Sequence, residues 1–311
     1  MRAVPDVSLT QLRYFVRAAE RGSMTRAAQD LIVAQSAVST AVAALERELG
    51  VQLFIRQHAK GLILTRAGTL MLRHSRLLLG GLAEAFEEVS GEAAAVAGPL
   101  AVACFSTLSP FYLPSLLSDL SDAYPRLDVS VHEIVADKVE ESLRSGAVEI
   151  AFTYDLALGD DVAKEVLTTI APYVALPIDH PLATGASVAL ADLAEEPMVL
   201  LDLPHSRDYF LSMFSSLGLS PTIRYRSQSF ETVRALVARR HGFALLNQRP
   251  QSDLSYDGER VLCVPVADDV PALHIVLASL GSLRQTRRAA AFAERARAVV
   301  AALADRDGTT R

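Results

Sequence analysis

Near the start of the chain, apolar positions recur with helical spacing. Leu9, Leu12, Val16 and Ala19 follow one another at three, four and three residues, the stripe of an amphipathic helix that Gly22 ends. Ser23 can cap a second helix, whose Ala27, Ala28 and Leu31 point inward; small inward residues let helices approach closely. After Ile32 and Val33 a third helix buries Val38, Val42, Leu45 and Leu49 and stops at Gly50. Its opposite face carries Gln35, Ser36, Ser39 and Thr40. Two short helices joined by a tight apolar turn predict a helix-turn-helix, in which the start of the second helix reaches base edges in the major groove. Glutamine pairs bidentately with adenine, and serine and threonine hydroxyls adapt to several bases, so these four residues are the predicted base contacts. Long cations there would hold the helix off at the phosphates.

Two apolar runs around the turn HAKG, between Gln52 and Gly68, then read as a β-hairpin wing. Lys60 stands at its tip, with Arg56 and Arg66 at its edges, where DNA phosphates would pass. From Arg66 to about Ala95 no proline interrupts a near-heptad series that includes Leu70, Leu77, Leu78, Leu82, Phe86 and Val89, which predicts a helix of about 45 Å. That stripe packs either on its own chain or on a second copy; Leu78, Leu82 and Val89 are the predicted dimer contacts. The run Ala93–Pro99 is expected to be a hinge.

Beyond it, strand-like runs (LAVACF, VSVHEI, EIAFTYD, PMVLLD, TIRYRS, FALLN) alternate with helical ones, the pattern of parallel sheets covered on both sides. Two such halves are expected, with crossings near Ala157–Val166 and Val264–Leu273, and VPALHIVLAS returning to the first half before a helix over Arg287–Leu303. Open sheets of this kind bind ligands outside the carboxyl ends of their strands, where helix starts favour an anion. The junctions there carry Ser106 and Thr107, Ala136 and Asp137, His205 and Ser206, Ser229 and Phe230, and then Asn247. Each serine is either a helix cap or a ligand contact; Asp137 reads as a cap, and His205 either faces the cleft or lies on the surface. With Phe152 adding a second ring, the expected effector is a small carboxylate, aromatic acids included.

Charge sharpens this division. Up to Arg66 there are nine basic and five acidic residues, a balance of +4, which leaves −10 for the rest of a 311-residue chain of net charge −6. A basic head on an acidic body suits a polyanion at the head alone. Cys104 and Cys263 sit in apolar runs without a CxxC, as buried small residues or, alternatively, as a thiol redox sensor. The seven histidines show no metal-ligand spacing, no nucleophile motif is present, and no apolar run is long enough to span a membrane. Neither a metal, a cofactor nor an enzyme is expected, and a cytoplasmic location follows from the absence of a signal segment.

The head resembles the DNA-binding domain of LysR-type transcriptional regulators, in a spaced pattern running from Leu12 and Phe15 through Gly22, Ala27, Gln35, Ser39, Leu45, Glu46 and Gly50 to Phe54, Thr65 and Gly68. HPLA at His180–Ala183 and the stretch Val188–Leu201 extend the resemblance to the effector domain. It implies a winged helix-turn-helix over 1–65, a linker and dimerisation helix over 66–97, and a periplasmic-binding-protein-like effector domain over 98–311. Its subdomain I would span about 98–165 plus 271–305, and subdomain II about 166–270. It further implies a homodimer or homotetramer that binds operator DNA and a small-molecule effector, with RNA polymerase as a further candidate partner. A solute-binding protein without DNA function is the alternative, which the winged head opposes. The family usually has serine or threonine at Ala34, arginine or lysine at Thr40 and Ala44, and often a hydroxyl residue at Ala136; the third helix here therefore lacks a side-chain cap.

Overall fold

The computed structural model describes residues 6–57, 61–89, 96–281 and 285–308. By its contacts the chain divides into two compact units, one reaching Val96 and taking in Ser142–Glu149, the other formed by Ala97–Glu141 and the chain from Ile150 onward.

In the first unit, α1 (Leu9–Arg21), α2 (Met24–Leu31) and α3 (Gln35–Leu49) close around Leu12, Phe15, Ala18, Ala27, Val38, Val42 and Leu45. The inward stripe of α1 is therefore Leu12, Phe15 and Ala18; Leu9, assigned inward by spacing alone, is 48% exposed in the first turn. Ser8 caps α1 in a reciprocal box with Gln11. The hairpin β1 (Phe54–Gln57) and β2 (Gly61–Leu64) follows. It is tied to α3 by the Glu46 carboxylate, which accepts from the N–H groups of Leu53 and Phe54 at 2.7 and 3.2 Å. Thr65 Oγ1 accepts from Gly68 N–H at 2.9 Å, and α4 (Arg66–Val89) begins there. At Gly68 a Cβ would stand 2.0 Å from the Leu53 carbonyl oxygen, so only glycine fits. Leu70, Leu78, Phe86 and Val89 of α4 are exposed, and Leu82 is half-buried.

The second unit opens with β3 (Ala97–Phe105). Ala97 to Pro99 thus belong to a strand paired with β4, not to a hinge; Ala93 to Ala95 lie outside the described residues. The chain continues through α5 (Ser109–Ala123), β4 (Arg126–Ile134), α6 (Ala136–Arg144), β5 (Ile150–Tyr154), β6 (Val162–Ile170), β7 (Tyr173–Pro177), β8 (Pro197–Leu201), α7 (Ser206–Ser216), β9 (Thr222–Ser227), α8 (Phe230–Ala238), β10 (Ala244–Leu246), β11 (Val261–Pro265), β12 (Leu273–Leu280) and α9 (Arg287–Gly308). One sheet runs β4-β3-β5-β12-β6. The other joins β10-β7-β11 to the β8-β9 pair through a bridge between Met198 and Phe243.

Two expectations are corrected here. The sheets are mixed, because β12 runs antiparallel to β5 and β6, and β7 antiparallel to β10 and β11. The first crossing lies at Ala171 and Pro172, not at Ala157–Val166: β6 stays in the first sheet, paired with β12 along its length. The return crossing does fall between β11 and β12.

A candidate DNA-reading face and a ligand cleft

In the head, Ser23 Oγ accepts from Arg26 N–H at 3.3 Å and starts α2. The helix ends at Ile32, which takes a left-handed backbone (φ 55°, ψ 47°) while its side chain is 93% exposed. The chain bends there by 114° into α3, the angle of a helix-turn-helix. Ala34 occupies the N-cap of α3 without a side-chain hydrogen bond, as its missing hydroxyl requires. Gln35, Ser36 and Thr40 are exposed and Ser39 half-buried on one face. Gln35 Nε2 donates to Ser39 Oγ at 2.8 Å, so the glutamine amide is held against the helix in the absence of DNA. Arg66 is exposed at the start of α4; the Arg56 backbone pairs with Leu62 in the wing, and Lys60 lies outside the described residues.

The acidic residues of this unit are largely engaged. Glu20 meets Arg17 and Arg76, and Asp30 meets Arg17 and Arg21. Arg26, exposed in the first turn of α2, pairs with no acidic side chain among the described residues and is a cation that sequence reading passed over. Its signal was its place three residues after a capping serine at the entrance of the helix-turn-helix.

In the second unit, a narrow pocket lies partly open to solvent. It is lined by Thr107 from the turn after β3, Tyr154 from the end of β5, Leu201 from β8, Ser206 and Phe210 from α7, Phe230 from α8, and Asn247 and Gln248 after β10. Thr107 Oγ1 and Tyr154 Oη lie 3.2 Å apart, within hydrogen-bond reach of each other. Burial pushes the Tyr154 phenol well up, so it stays a neutral donor and acceptor at ordinary pH. Tyr173 donates its hydroxyl to the Gln248 carbonyl at 2.8 Å and fixes that loop from beneath. At the rim, the rings of Phe111 and Phe230 meet edge to face at 5.7 Å.

Of the predicted ligand residues, this pocket brings together Thr107, Ser206, Phe230 and Asn247. Ser106 is half-buried with its N–H on the Ile134 carbonyl, and Ala136 is buried; neither lines the pocket. Phe152 is corrected outright. It is fully buried against Tyr112, with ring centroids 5.2 Å apart, and belongs to the core beneath α5. Ser229 Oγ accepts from Thr232 N–H at 3.2 Å and so acts as the cap of α8. His205 is half-buried just ahead of α7 and also stands outside the lining. Its backbone has φ 61° and ψ −33°, and Ser206 N–H donates back to Pro204 O at 2.8 Å, a tight γ-turn of the strained hand. Tyr154, Leu201, Phe210 and Gln248 were missed by sequence reading.

Among the described residues no cluster of His, Cys, Asp or Glu could hold a metal, and no single helix is long and apolar enough to cross a membrane. Burial pushes the Cys104 thiol up to about 12 and raises that of Cys263 as well.

Residues 9–69 match the bacterial regulatory helix-turn-helix family of lysR type, and residues 93–301 match the LysR substrate binding domain. The chain is 32% identical over 248 residues to the uncharacterized regulator YvbU of Bacillus subtilis, covering 80% of this chain and 84% of that one. It is 30% identical over 241 residues to a hydrogen peroxide-inducible genes activator of Dickeya chrysanthemi, covering 77% and 79%. Among solved structures it resembles HinK, a LysR family regulator from Pseudomonas aeruginosa, with a TM-score of 0.64, 36% identity and 95% and 99% of the two chains covered. Full-length OxyR from the same organism gives a TM-score of 0.75 at 27% identity, covering 94% and 98%.

Proposed function

Because the chain belongs to the LysR family of transcriptional regulators, we propose that it is a DNA-binding regulator whose activity is set by a small carboxylate, aromatic acids included, bound in the cleft of its C-terminal unit. Gln35, Ser36, Ser39 and Thr40 read bases, and Arg56, Lys60 and Arg66 hold the DNA backbone. The protein acts in the cytoplasm as a homodimer or a tetramer of such dimers, joined through Leu78, Leu82 and Val89 of α4, and carries out no catalysis. RNA polymerase is its partner at the promoter.

One observation carries the effector reading: Thr107, Ser206, Phe230 and Asn247, from four separate segments, converge with Tyr154 on a single pocket. Hydroxyls at helix starts suit an acid oxygen, and the rings of Phe210 and Phe230 suit an apolar body. A thiol switch is less well supported, although some relatives are peroxide-inducible activators. Reactive cysteines need a depressed pKa, whereas burial raises both thiols here, and Cys104 and Cys263 stand on strands of different sheets.

The test is fluorescence anisotropy with the full-length protein on a sequence selected from a random DNA pool, with and without a panel of aliphatic and aromatic acids. An acid should shift the affinity or footprint. Gln35→Ala should cost about 1 to 3 kcal/mol on the selected DNA and little on random DNA. Equal losses on both DNAs would remove the reading face. A shift with oxidant but with no acid would replace the effector by a redox signal.

A further inference from the structure

The pocket holds two polar atoms left without partners. Asn247 Oδ1 and Gln248 Nε2 are buried and make no hydrogen bond, and Gln248 is 5% exposed. Both side chains line the pocket. They are chemically opposite, since one is an acceptor and the other a donor. A buried group of either kind is costly to leave unmade, and the neighbouring groups do not supply the missing bonds: Thr107 and Tyr154 bond each other, and the Tyr173 hydroxyl is committed to the Gln248 carbonyl.

A plain carboxylate satisfies only half of this arrangement. Its oxygens accept from Gln248 Nε2 and from hydroxyls, but they meet Asn247 Oδ1 as one acceptor meets another. Among the described residues, no cationic side chain lines the pocket to compensate. The start of α7 offers less than a helix end usually does, because the N–H groups of Ser206 and Arg207 already donate to Pro204 and Leu203 carbonyls at 2.8 and 3.0 Å. Recognition therefore falls to the side-chain amides.

Building on the effector reading of this cleft, we infer that the ligand is an acid that also carries its own hydrogen-bond donor, a hydroxyl, amino or ring N–H group, which Asn247 Oδ1 accepts while Gln248 Nε2 donates to an acceptor oxygen. The donor is the specificity element: it separates a hydroxy or amino acid from the unsubstituted acid of the same size. Sites built to hydrogen-bond a ligand group reject analogues lacking it more strongly than apolar pockets reject a missing methylene.

The test is calorimetric titration of the full-length protein with benzoate and phenylacetate, each beside its ring-hydroxylated and ring-aminated isomers. At least one donor-bearing isomer should bind about tenfold tighter than its parent acid. Asn247→Leu, which keeps the side-chain size and removes the acceptor, should erase that advantage, so that on the variant each isomer binds no tighter than its parent acid. If every isomer binds no better than its parent, or if the advantage survives Asn247→Leu, the inference is overturned and the effector cleft stands. The isomer comparison on the unmodified protein decides the point even should Asn247→Leu fail to fold. Absence of binding by all of these acids, parents included, would remove the carboxylate reading of the cleft together with this inference.

Discussion

Ile32 is the residue at which the helix-turn-helix should be easiest to improve. Its φ of 55° and ψ of 47° place it in the left-handed well, where a side chain costs about 1 to 2 kcal/mol and a β-branched one is at the upper end. Nothing visible offsets that cost, because 93% of the residue is exposed and its removal forfeits almost no buried area. Asparagine tolerates this backbone at little cost, so Ile32→Asn should stabilise the head by about 1 kcal/mol. Ile32→Gly relieves the strain fully but gives back about 0.5 to 1 kcal/mol through the entropy of the unfolded chain, so its gain should be smaller. Ile32→Val, still β-branched, should gain nothing. Hydrogen exchange of α2 and α3 amides in the full-length protein reads this directly, since 1 kcal/mol slows exchange through opening of the head about fivefold. Val stabilising as much as Asn, or Asn slowing nothing, would mean that the turn is not strained by its backbone.

Gly242→Ala should lower stability by about 2 to 4 kcal/mol in thermal melts, because its Cβ would stand 1.9 Å from the Pro197 carbonyl that Phe243 N–H uses to join β10 to β8; Gly80→Ala in α4, with nothing within 4 Å, should instead raise it by about 0.5 to 1 kcal/mol. With the Cys104 thiol pushed up to about 12, its thiolate at pH 8 is about a thousandfold scarcer than that of an ordinary thiol, so a disulfide reagent should leave Cys104 unmodified until the protein unfolds; rapid native labelling would reopen the thiol switch. The folded state holds that proton more tightly than the unfolded chain does, so stability from this group is full below about pH 9 and declines as pH rises toward 12, and Cys104→Ala should flatten that decline. Leu78→Glu with Leu82→Glu should turn the dimer into a monomer in sedimentation while leaving the far-ultraviolet spectrum unchanged; an unchanged dimer would place the interface elsewhere.

Periodicity located the helices more securely than it set their phase. In α1 the series Leu9, Leu12, Val16, Ala19 has the right period, yet Phe15 and Ala18 are the residues at the centre of the core, because a 3.6-residue repeat admits two adjacent stripes and only packing chooses between them. β6 escaped notice for a different reason. It is an edge strand whose Lys164 and Glu165 face outward to pair with Asp155 and Arg297, so its sequence lacks the apolar run that marked β5. Missing β6 also misplaced the crossing between sheets, which hangs on two residues, Ala171 and Pro172.

The ligand residues divide along a line that is partly readable in sequence. Ser23 and Ser229 stand immediately before their helices, and each hydroxyl is taken by the N–H three residues on. Ser206 is instead the first residue inside α7, with His205 in the cap position, so its side chain is not drawn to the helix end and lines the pocket. One residue of phase separates a serine that completes a helix from one available to a ligand, which is why a junction serine alone reads equally as either. Strands obey a similar rule. Phe152 and Tyr154 lie on the same face of β5, two residues apart, but Phe152 is covered by Tyr112 of α5 and only Tyr154 reaches the carboxyl end, where the cleft lies. Distance from the strand's end, rather than side-chain type, decides whether an aromatic residue on β5 serves the core or the cleft. Gln248 follows from the same reasoning, since a polar residue just past the buried strand Ala244–Leu246, and itself buried, has few places to direct its amide other than that cleft.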